Sequence, residues 1–200
     1  RVEAEDQNPR GYHPGVVFLR SVNLGEKLEV GRKAVVVGGG NVAMDCARSA
    51  LRLGVPEVVV VYRRDRESMP ADSVEVHDAD QEGIKFEFMT NPIRILIEDG
   101  RIVGLECVRM ALGEPDASGR RRPEPLDGSE FVLDCDMVIP AIGQRVDLGC
   151  VEEPGGPKGT RWGTIEADAD TMETGVDGVF AGGDCVSGPA TLIEAMAAGM

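Results

Sequence analysis

Three small residues follow a run of β-branched residues in a spacing suited to binding a diphosphate. Gly38, Gly40 and Ala43 form the pattern Gly-x-Gly-x-x-Ala directly after the apolar run Ala34–Val37. In this pattern the first glycine permits a sharp turn, the second lets a pyrophosphate approach the backbone, and the alanine lets the next helix pack closely on the strand. The unpaired amides at the start of that helix favour an anion. The pattern predicts a dinucleotide site at Gly38, Gly39, Gly40, Asn41, Val42 and Ala43.

A basic cluster at the end of the next apolar run indicates which dinucleotide would bind. Val58–Tyr62 has the character of a second buried strand, and Arg63 and Arg64 follow it. An NAD site usually carries a carboxylate at this place, where it binds the ribose 2′-hydroxyl. No acid stands there, and two guanidiniums suit a 2′-phosphate because the planar fork donates in pairs. We therefore predict NADPH rather than NADH, with Arg66 as a third candidate; a solvated surface cluster is the alternative.

A second glycine-and-acid motif lies near the end of the chain. The apolar run Gly178–Ala181 leads into Gly182, Gly183 and Asp184, and a helix is predicted over Thr191–Ala198. The glycines would let a ligand reach the backbone, and the carboxylate of Asp184 would accept from a hydroxyl. On the residues alone, an ordinary turn followed by a helix start explains this motif equally well.

Several separated segments together resemble one family of flavoproteins. Gly178–Asp184 with Gly188–Gly199 resembles the C-terminal flavin-binding motif of proteins with two dinucleotide-binding domains. Gly38–Arg48, Val61–Pro70 and Glu106–Met110 resemble the small (beta) subunit of NADPH-dependent glutamate synthase and its relatives. The resemblance covers about residues 10–200 and is specific at each of these places.

The resemblance implies an activity and roles for several residues. In such proteins an NADPH-binding domain interrupts an FAD-binding domain, and hydride passes from NADPH to FAD and electrons pass on to a partner oxidoreductase subunit or domain. By this similarity Asp184 and Gly183 would contact the FAD ribityl region, and the helix that begins at Thr191 would face the flavin. The segment containing Ala141 and Gly143 resembles the crossover back into the FAD-binding domain.

The chain also departs from that family. The family's FAD pyrophosphate fingerprint and the cysteine clusters of its iron–sulfur centres have no counterpart in these residues. The first residue is Arg1 rather than Met, which predicts a segment of a longer chain. We therefore expect the 200 residues to bind NADPH but not to hold FAD tightly or to turn over unaided. Stoichiometric flavin in the purified protein would contradict this expectation.

The predicted elements define an α/β fold. Strand, glycine turn, helix and strand make a Rossmann-like βαβ unit on a parallel sheet, and a third strand is predicted over Lys85–Met89. Residues 93–110, with a tight Asp99-Gly100 turn, and 131–133 predict an antiparallel meander, whereas Gly113–Gly128 is predicted to be an exposed loop. We predict a connector from the FAD domain over residues 1–30, an NADPH-binding domain over 31–144, and a C-terminal part of an FAD-binding domain over 145–200.

Composition narrows the classes of partner. The net charge is −14, which argues against nucleic acid or an anionic membrane as partner. The five cysteines are scattered without a CxxC pair, which fits reduced thiols in a cytoplasmic protein and gives neither a disulfide framework nor a metal site. Cys46 follows the glycine turn closely enough for the helix dipole to lower its pKa, but packing against the sheet is the favoured interpretation. Neither His13 nor His77 has a plausible catalytic partner.

Alternatives remain open at the level of the sequence. A disulfide reductase similar to thioredoxin reductase is disfavoured, since its chemistry needs a dithiol that the sequence lacks. A nucleotide-sensing module without catalysis would keep the fingerprint for binding only. Related proteins of the same build serve pyrimidine reduction, ferredoxin–nicotinamide exchange or formate dehydrogenase, and nothing in the residues chooses among them.

Overall fold

The computed structural model describes residues 8–115, 121–149, 151 and 154–199. The chain divides into two compact units between Ile142 and Gly143. The first unit contains the helices α1 (Gly15–Asn23), α2 (Asn41–Arg52) and α3 (Ser73–Gln81) and the strands β1 (Lys33–Val37), β2 (Glu57–Val61), β3 (Lys85–Glu87), β4 (Thr90–Glu98), β5 (Arg101–Pro115), β6 (Arg121–Leu133) and β7 (Met137–Pro140). The second contains the short helices α4 (Asp184–Ser187) and α5 (Leu192–Ala197).

A parallel sheet in the order β3-β2-β1-β7 forms the centre of the first unit. Strand β1 pairs in parallel with β2, with Val37 opposite Val61, and with β7, with Val37 opposite Pro140. Ala34 and Val36 face one hydrophobic core, whereas Val35 and Val37 face another. Burial on both faces explains why the strand is a continuous β-branched run and not an alternating one. The predicted α/β class with a parallel sheet is confirmed.

Helices cover one face of this sheet. Met44 and Ala47 of α2 and Val76 of α3 pack into the core on that face. Phe18 of α1 joins the same core and is 1% exposed. Residues 1–30 were predicted as a connector, but residues 15–23 form a helix. The run Val16–Leu19 is the middle of that helix, which Pro14 precedes and whose buried side chains recur at helical spacing.

An antiparallel sheet, β4-β5-β6, covers the other face. Ile95, Ile102 and Leu105 from this sheet pack with Val35 and Val138 of the parallel sheet. The predicted Asp99-Gly100 turn joins β4 to β5, and both residues have positive φ, +49° and +74°. Positive φ at both central positions is the geometry that suits the twist of a two-residue hairpin.

The loop predicted over Gly113–Gly128 is wrong for the described part of that range. Strand β5 continues to Pro115, and β6 begins at Arg121. Leu112 pairs with Pro123 and Ala111 with Glu124, so the hairpin ladder satisfies backbone groups that local composition assigned to a loop. Pro123 and Pro125 of β6 are tolerated because β6 is an edge strand. On the side that has no neighbouring strand, a missing N–H costs no hydrogen bond of the ladder.

The second unit is built mainly from turns and isolated bridges. Gly159 bridges Ile165, and Ala167 bridges Thr174. The strand predicted over Gly178–Ala181 is reduced to one bridge, between Phe180 and Glu173. A strand needs a continuous neighbour, and the described residues of this unit offer only the short segment around Met172–Thr174, to which Ala181 donates at 2.9 Å. Within the described residues, no helix is long and apolar enough to cross a membrane.

Asp136 ties the start of β1 to the approach of β7, which gives a test of the sheet. Its carboxylate accepts from the amides of Arg32 at 2.8 and 2.9 Å and of Lys33 at 2.9 Å. Asp136→Ala leaves these amides without their acceptor, and we expect the free energy of unfolding to fall by about 2 kcal/mol in denaturant titration. Asp136→Asn, which keeps one acceptor oxygen, should lose less; equal losses would contradict this role.

Candidate functional site

The glycine turn lies at the carboxyl edge of β1. The amide of Gly38 donates to Val61 of β2 at 3.0 Å, and the amide of Ala141 donates to Val37 at 2.7 Å. Gly38 has φ +146°, and a Cβ there would collide with the carbonyl oxygen of Ala141. The first glycine is therefore required by the fold itself, because the turn passes directly against the segment that leaves β7.

Gly39, the next residue of the turn, is also required to be glycine by a neighbour within the chain. A Cβ on Gly39 would lie 2.5 Å from the nearest ring carbon of Tyr62. Tyr62 is 8% exposed, and its hydroxyl donates to the carbonyl of Ser68 at 2.8 Å. The tyrosine thus packs on the glycine turn and reaches along the segment that follows β2.

Gly40 differs, since nothing in the protein requires a glycine there. Its φ is −94° and its ψ is 177°, a conformation open to any residue, and the atom nearest to an added Cβ is Pro70 Cγ at 3.9 Å. Gly40 is the N-cap of α2 and supplies no side-chain acceptor to the helix. Helix α3, by contrast, is capped by Asp72, which accepts from Val74 at 2.8 Å. The described residues provide no acceptor for the amides of Asn41 and Val42.

The arginines lie where the sequence placed them, immediately after β2. Arg63 is exposed and Arg64 half-buried, and no described acid pairs with either. The Nε atom of Arg64 is buried and has no hydrogen-bond partner in the described part of the chain. Arg66 is different: its guanidinium pairs with Asp80 at 3.1 Å and lies over the rings of Phe86 and Phe88, 5.3 and 5.7 Å from their centroids.

The arginine-bearing segment folds back onto the glycine turn. The amide of Ala71 donates to Gly39 at 3.1 Å, and the amide of Asp72 donates to Oδ1 of Asn41 at 2.8 Å. Asn41 was expected as a contact to the dinucleotide; its side chain also anchors this segment. No local pattern in the sequence predicts that this segment returns to the glycine turn. The related signal is Tyr62 after β2, whose ring lies where a Cβ on residue 39 would be.

The second motif has a defined local geometry in the second unit. Gly183 is buried with φ +68°, and a Cβ there would lie 3.3 Å from Ala195 of α5. Asp184 is exposed and its carboxylate accepts from the amide of Ala190 at 3.3 Å. Thr191 caps α5. It forms a capping box with Glu194, whose carboxylate accepts from the amide and hydroxyl of Thr191 and therefore has a lowered pKa. Gly143 is exposed with φ +105°.

The thiols of the first unit are packed and not activated. Burial raises the pKa of Cys46 to about 12, and its Sγ lies 3.5 Å from the carbonyl oxygen of Gly15. The interpretation that Cys46 packs is thus confirmed, because its side chain is fully buried in the core beneath α2. Burial likewise raises the pKa of Cys107 and of Cys135 to about 12. Burial lowers the pKa of His13, which keeps it neutral near pH 7. The described residues contain no group of side chains suited to a metal ion.

Comparison with known proteins places the chain in a family. The model of the family described as pyridine nucleotide-disulphide oxidoreductase matches residues 6–199. The chain belongs to this family. The predicted oxidoreductase class and Rossmann-like architecture are thereby confirmed.

Curated relatives include subunits of larger oxidoreductases. The chain is 54% identical over 99% of its length to the NADP(+)-dependent formate dehydrogenase subunit beta of Moorella thermoacetica. It is 47% identical to the NADPH-Fe(3+) oxidoreductase subunit beta of Geobacter sulfurreducens and 40% identical to the glutamate synthase [NADPH] small chain of Azospirillum brasilense, over 96% and 88% of its length. It spans only 28%, 32% and 38% of these three proteins. The predicted resemblance to the glutamate synthase small subunit is confirmed.

Solved structures agree on the fold. The T. acidophilum thioredoxin reductase superposes with a TM-score of 0.74 at 20% identity, over 99% of this chain and 57% of the other. Mycobacterium tuberculosis FprA in complex with NADPH gives a TM-score of 0.73 at 22% identity, over 96% of this chain and 56% of the other. At these identities the likeness is one of fold alone.

The different constraints on Gly39 and Gly40 give a paired test. Gly39→Ala forces a Cβ into the ring of Tyr62, and we expect the free energy of unfolding to fall by about 1–3 kcal/mol. Gly40→Ala meets only open space, so it should cost only the N-cap preference for glycine over alanine, about 0.5–1 kcal/mol, yet weaken dinucleotide binding about tenfold or more, because a Cβ would occupy the approach to the backbone. Denaturant titration and NADPH titration measure the two effects. A Gly40→Ala protein with unaltered NADPH affinity would contradict the predicted cradle.

The buried thiols give a second test. The pKa values of Cys46, Cys107 and Cys135 are raised to about 12. At pH 8 each of these three thiols is therefore a thiolate in only about one molecule in 10⁴. We expect none of the three to be alkylated by iodoacetamide in the native protein over an hour at pH 8, as read by peptide mass spectrometry. The same protein in denaturant serves as control and should be labelled at all three. Rapid native labelling of Cys46 would show a reactive thiol instead.

Proposed function

We propose that the chain is the NADPH-binding module of a flavin-dependent oxidoreductase that passes hydride from NADPH to FAD and electrons on to a partner subunit. The observation that carries the proposal is the glycine turn together with two arginines that lack an acidic partner. A protein of net charge −14 offers many carboxylates, yet none of those described pairs with Arg63 or Arg64. Unpaired guanidiniums beside an uncapped helix start fit an anionic ligand with two phosphate positions.

Each part of the proposed site would hold one phosphate position of NADPH. The amides of Asn41 and Val42 would hold the pyrophosphate, with Gly40 leaving room for it. Arg63 and Arg64 would hold the 2′-phosphate by charge-assisted hydrogen bonds, and the buried Nε of Arg64 is the kind of unsatisfied atom that a nearby anion stabilises. Arg66 stays a candidate third contact, although in this structure Asp80 already neutralises it.

For FAD, the proposal rests on the second unit. The turn Gly183–Asp184 with the helix start at Thr191 is the part that would contact the flavin. Asp184 is exposed, and among the described residues its carboxylate accepts only from Ala190, so it can also accept from a ribityl hydroxyl. FAD, when bound, would accept the hydride and release electrons singly to iron–sulfur centres in other parts of the assembly. We propose the domains as first predicted, with α1 of the connector packed into the core of the first unit: a connector over 1–30, an NADPH domain over 31–144 and an FAD-domain segment over 145–200.

The relatives bear on the partner subunit. Those named for formate dehydrogenase and for Fe(3+) reduction are 54% and 47% identical, whereas the glutamate synthase small chain is 40% identical. We therefore propose an electron-transfer subunit of the beta type common to all three and give no preference to glutamate synthesis. The partner would exchange electrons with this module and bind its own substrate.

The cofactor assignment is tested by the double variant Arg63→Ala/Arg64→Ala. We expect its affinity for NADPH to fall about 100-fold, since each lost charge-assisted contact is worth about 1.5 kcal/mol or more, while its affinity for NADH stays within about twofold. Isothermal titration with both nucleotides at one ionic strength measures this.

A matched control is Arg20→Ala/Arg94→Ala, which removes the same charge from exposed positions elsewhere in the first unit. It should leave both affinities within about twofold, because exposed charges distant from the site are screened by salt. Equal affinity of the unaltered protein for NADPH and NADH, or an unchanged preference in the Arg63/Arg64 variant, would overturn the 2′-phosphate assignment.

A further inference from the structure

We propose that Tyr62 is a positioning residue for coenzyme specificity: through its ring and its hydroxyl it locks the arginine loop, residues 62–72, onto the glycine turn. This inference rests on the proposed NADPH site. It assigns the discrimination between NADPH and NADH to a residue that need not touch the phosphate itself.

The start of the arginine loop is fixed by the sheet. The amide of Tyr62 donates to Glu87 at 3.0 Å, and its carbonyl accepts from Thr90 at 3.1 Å. The carbonyl of Arg64 accepts from the amide of Met89 at 3.0 Å. The backbone that carries Arg63 and Arg64 is therefore held against the end of β3 and the start of β4.

The far end of the loop is fixed by the glycine turn. Gly39 accepts from Ala71 at 3.1 Å, and Asn41 accepts from Asp72 at 2.8 Å. Asp72 in turn caps α3. The two halves of the proposed site, the pyrophosphate turn and the arginine loop, are thus hydrogen-bonded to each other at this end.

Between these anchors, one buried side chain crosses the loop. The ring of Tyr62 packs on Gly39, and its hydroxyl donates to the carbonyl of Ser68 at 2.8 Å. The amide of Ser68 donates to Asp65 at 3.0 Å, and the amide of Met69 donates to Arg66 at 3.2 Å. Ser68 therefore takes part in both contacts: its carbonyl accepts from Tyr62, and its amide forms the local turn with Asp65. Without the hydroxyl, the backbone of residues 65–70 keeps only local hydrogen bonds. The remaining contacts outside the loop are made by two side chains, Arg66, which pairs with Asp80 at 3.1 Å, and Met69, which packs against the core of the first unit.

The consequence for binding follows from conformational entropy. The sheet holds the backbone of residues 62–64, and the hydroxyl of Tyr62 holds the residues that follow. Two arginines fixed on both sides lose less freedom when they bind a phosphate than the same arginines beside a mobile segment. Only a ligand with a 2′-phosphate gains from this preorganisation. NADH shares the pyrophosphate contacts at the glycine turn but not the arginine contacts, so its affinity does not depend on the lock.

The test is Tyr62→Phe, which keeps the ring on Gly39 and removes only the hydroxyl. We expect the dissociation constant for NADPH to rise about fivefold, the effect of one neutral hydrogen bond, while that for NADH stays within about twofold. Hydrogen exchange in the free protein should be faster over residues 65–70. Ser21→Ala is the matched control, because it deletes another hydroxyl of the first unit that is hydrogen-bonded, to Glu26 at 2.5 Å, away from the loop.

A second variant covers the case in which Tyr62→Phe fails to fold. Asn41→Ala releases the far anchor from an exposed helix position, and it should also lower the ratio of NADPH to NADH affinity about threefold or more. If Asn41 acted only on the pyrophosphate, both affinities would fall equally and the ratio would stay. An unchanged ratio in either folded variant overturns the role of the lock.

The two proposals fail in different ways. If the unaltered protein shows no preference for NADPH, the proposed function is wrong and the inference about Tyr62 falls with it. If the unaltered protein prefers NADPH, and Arg63→Ala/Arg64→Ala removes that preference while Tyr62→Phe does not, only the inference about Tyr62 is wrong.

Discussion

The parallel register between β1 and β2 determines which residues lie next to each other at the proposed site. Because Val37 lies opposite Val61, the residues that follow each strand, Gly38 and Tyr62, emerge side by side at one edge of the sheet. The register is set by valines that are buried on both faces, so a slip by one residue would exchange the two cores. The glycine turn and the arginine loop are neighbours for this reason, although 24 positions separate Gly38 from Tyr62.

Arginines that the fold neutralises differ from the arginines of the proposed site. Arg48 contacts Glu75, Asp78 and Glu82, and Arg109 pairs with Glu87 at 2.9 Å and covers Phe131. Arg63 and Arg64 have no such partner among the described residues. The same contrast holds for helix starts, where Asp72 and Thr191 cap α3 and α5 but Gly40 leaves the start of α2 open. Groups that the fold does not neutralise are the ones a ligand can use.

The relatives fit a division of labour between modules. Proteins named for formate, Fe(3+) and glutamate chemistry share the part that this chain spans, which is between 28% and 38% of their lengths. Under the proposed function, a nucleotide site combined with different partners would let one module serve several reactions, because the chemistry of the final substrate would lie elsewhere in the assembly. The packed, high-pKa thiols of Cys46, Cys107 and Cys135 are consistent with a module that supports hydride transfer and not thiol exchange.

The sequence by itself determined the parallel-sheet class, the glycine turn, the Asp99-Gly100 hairpin and the positions of the arginines, because each depends on local spacing or on a conformation that few residues adopt. Tertiary structure decided what local patterns leave open. The described residues of the range 113–128 are strand because two chain segments pair, and α1 is a helix because Phe18 has a core to enter. Gly39 and Gly40 are the same residue type in sequence. Only the tertiary structure shows that the ring of Tyr62 requires a glycine at position 39 and that the space beside Gly40 is open.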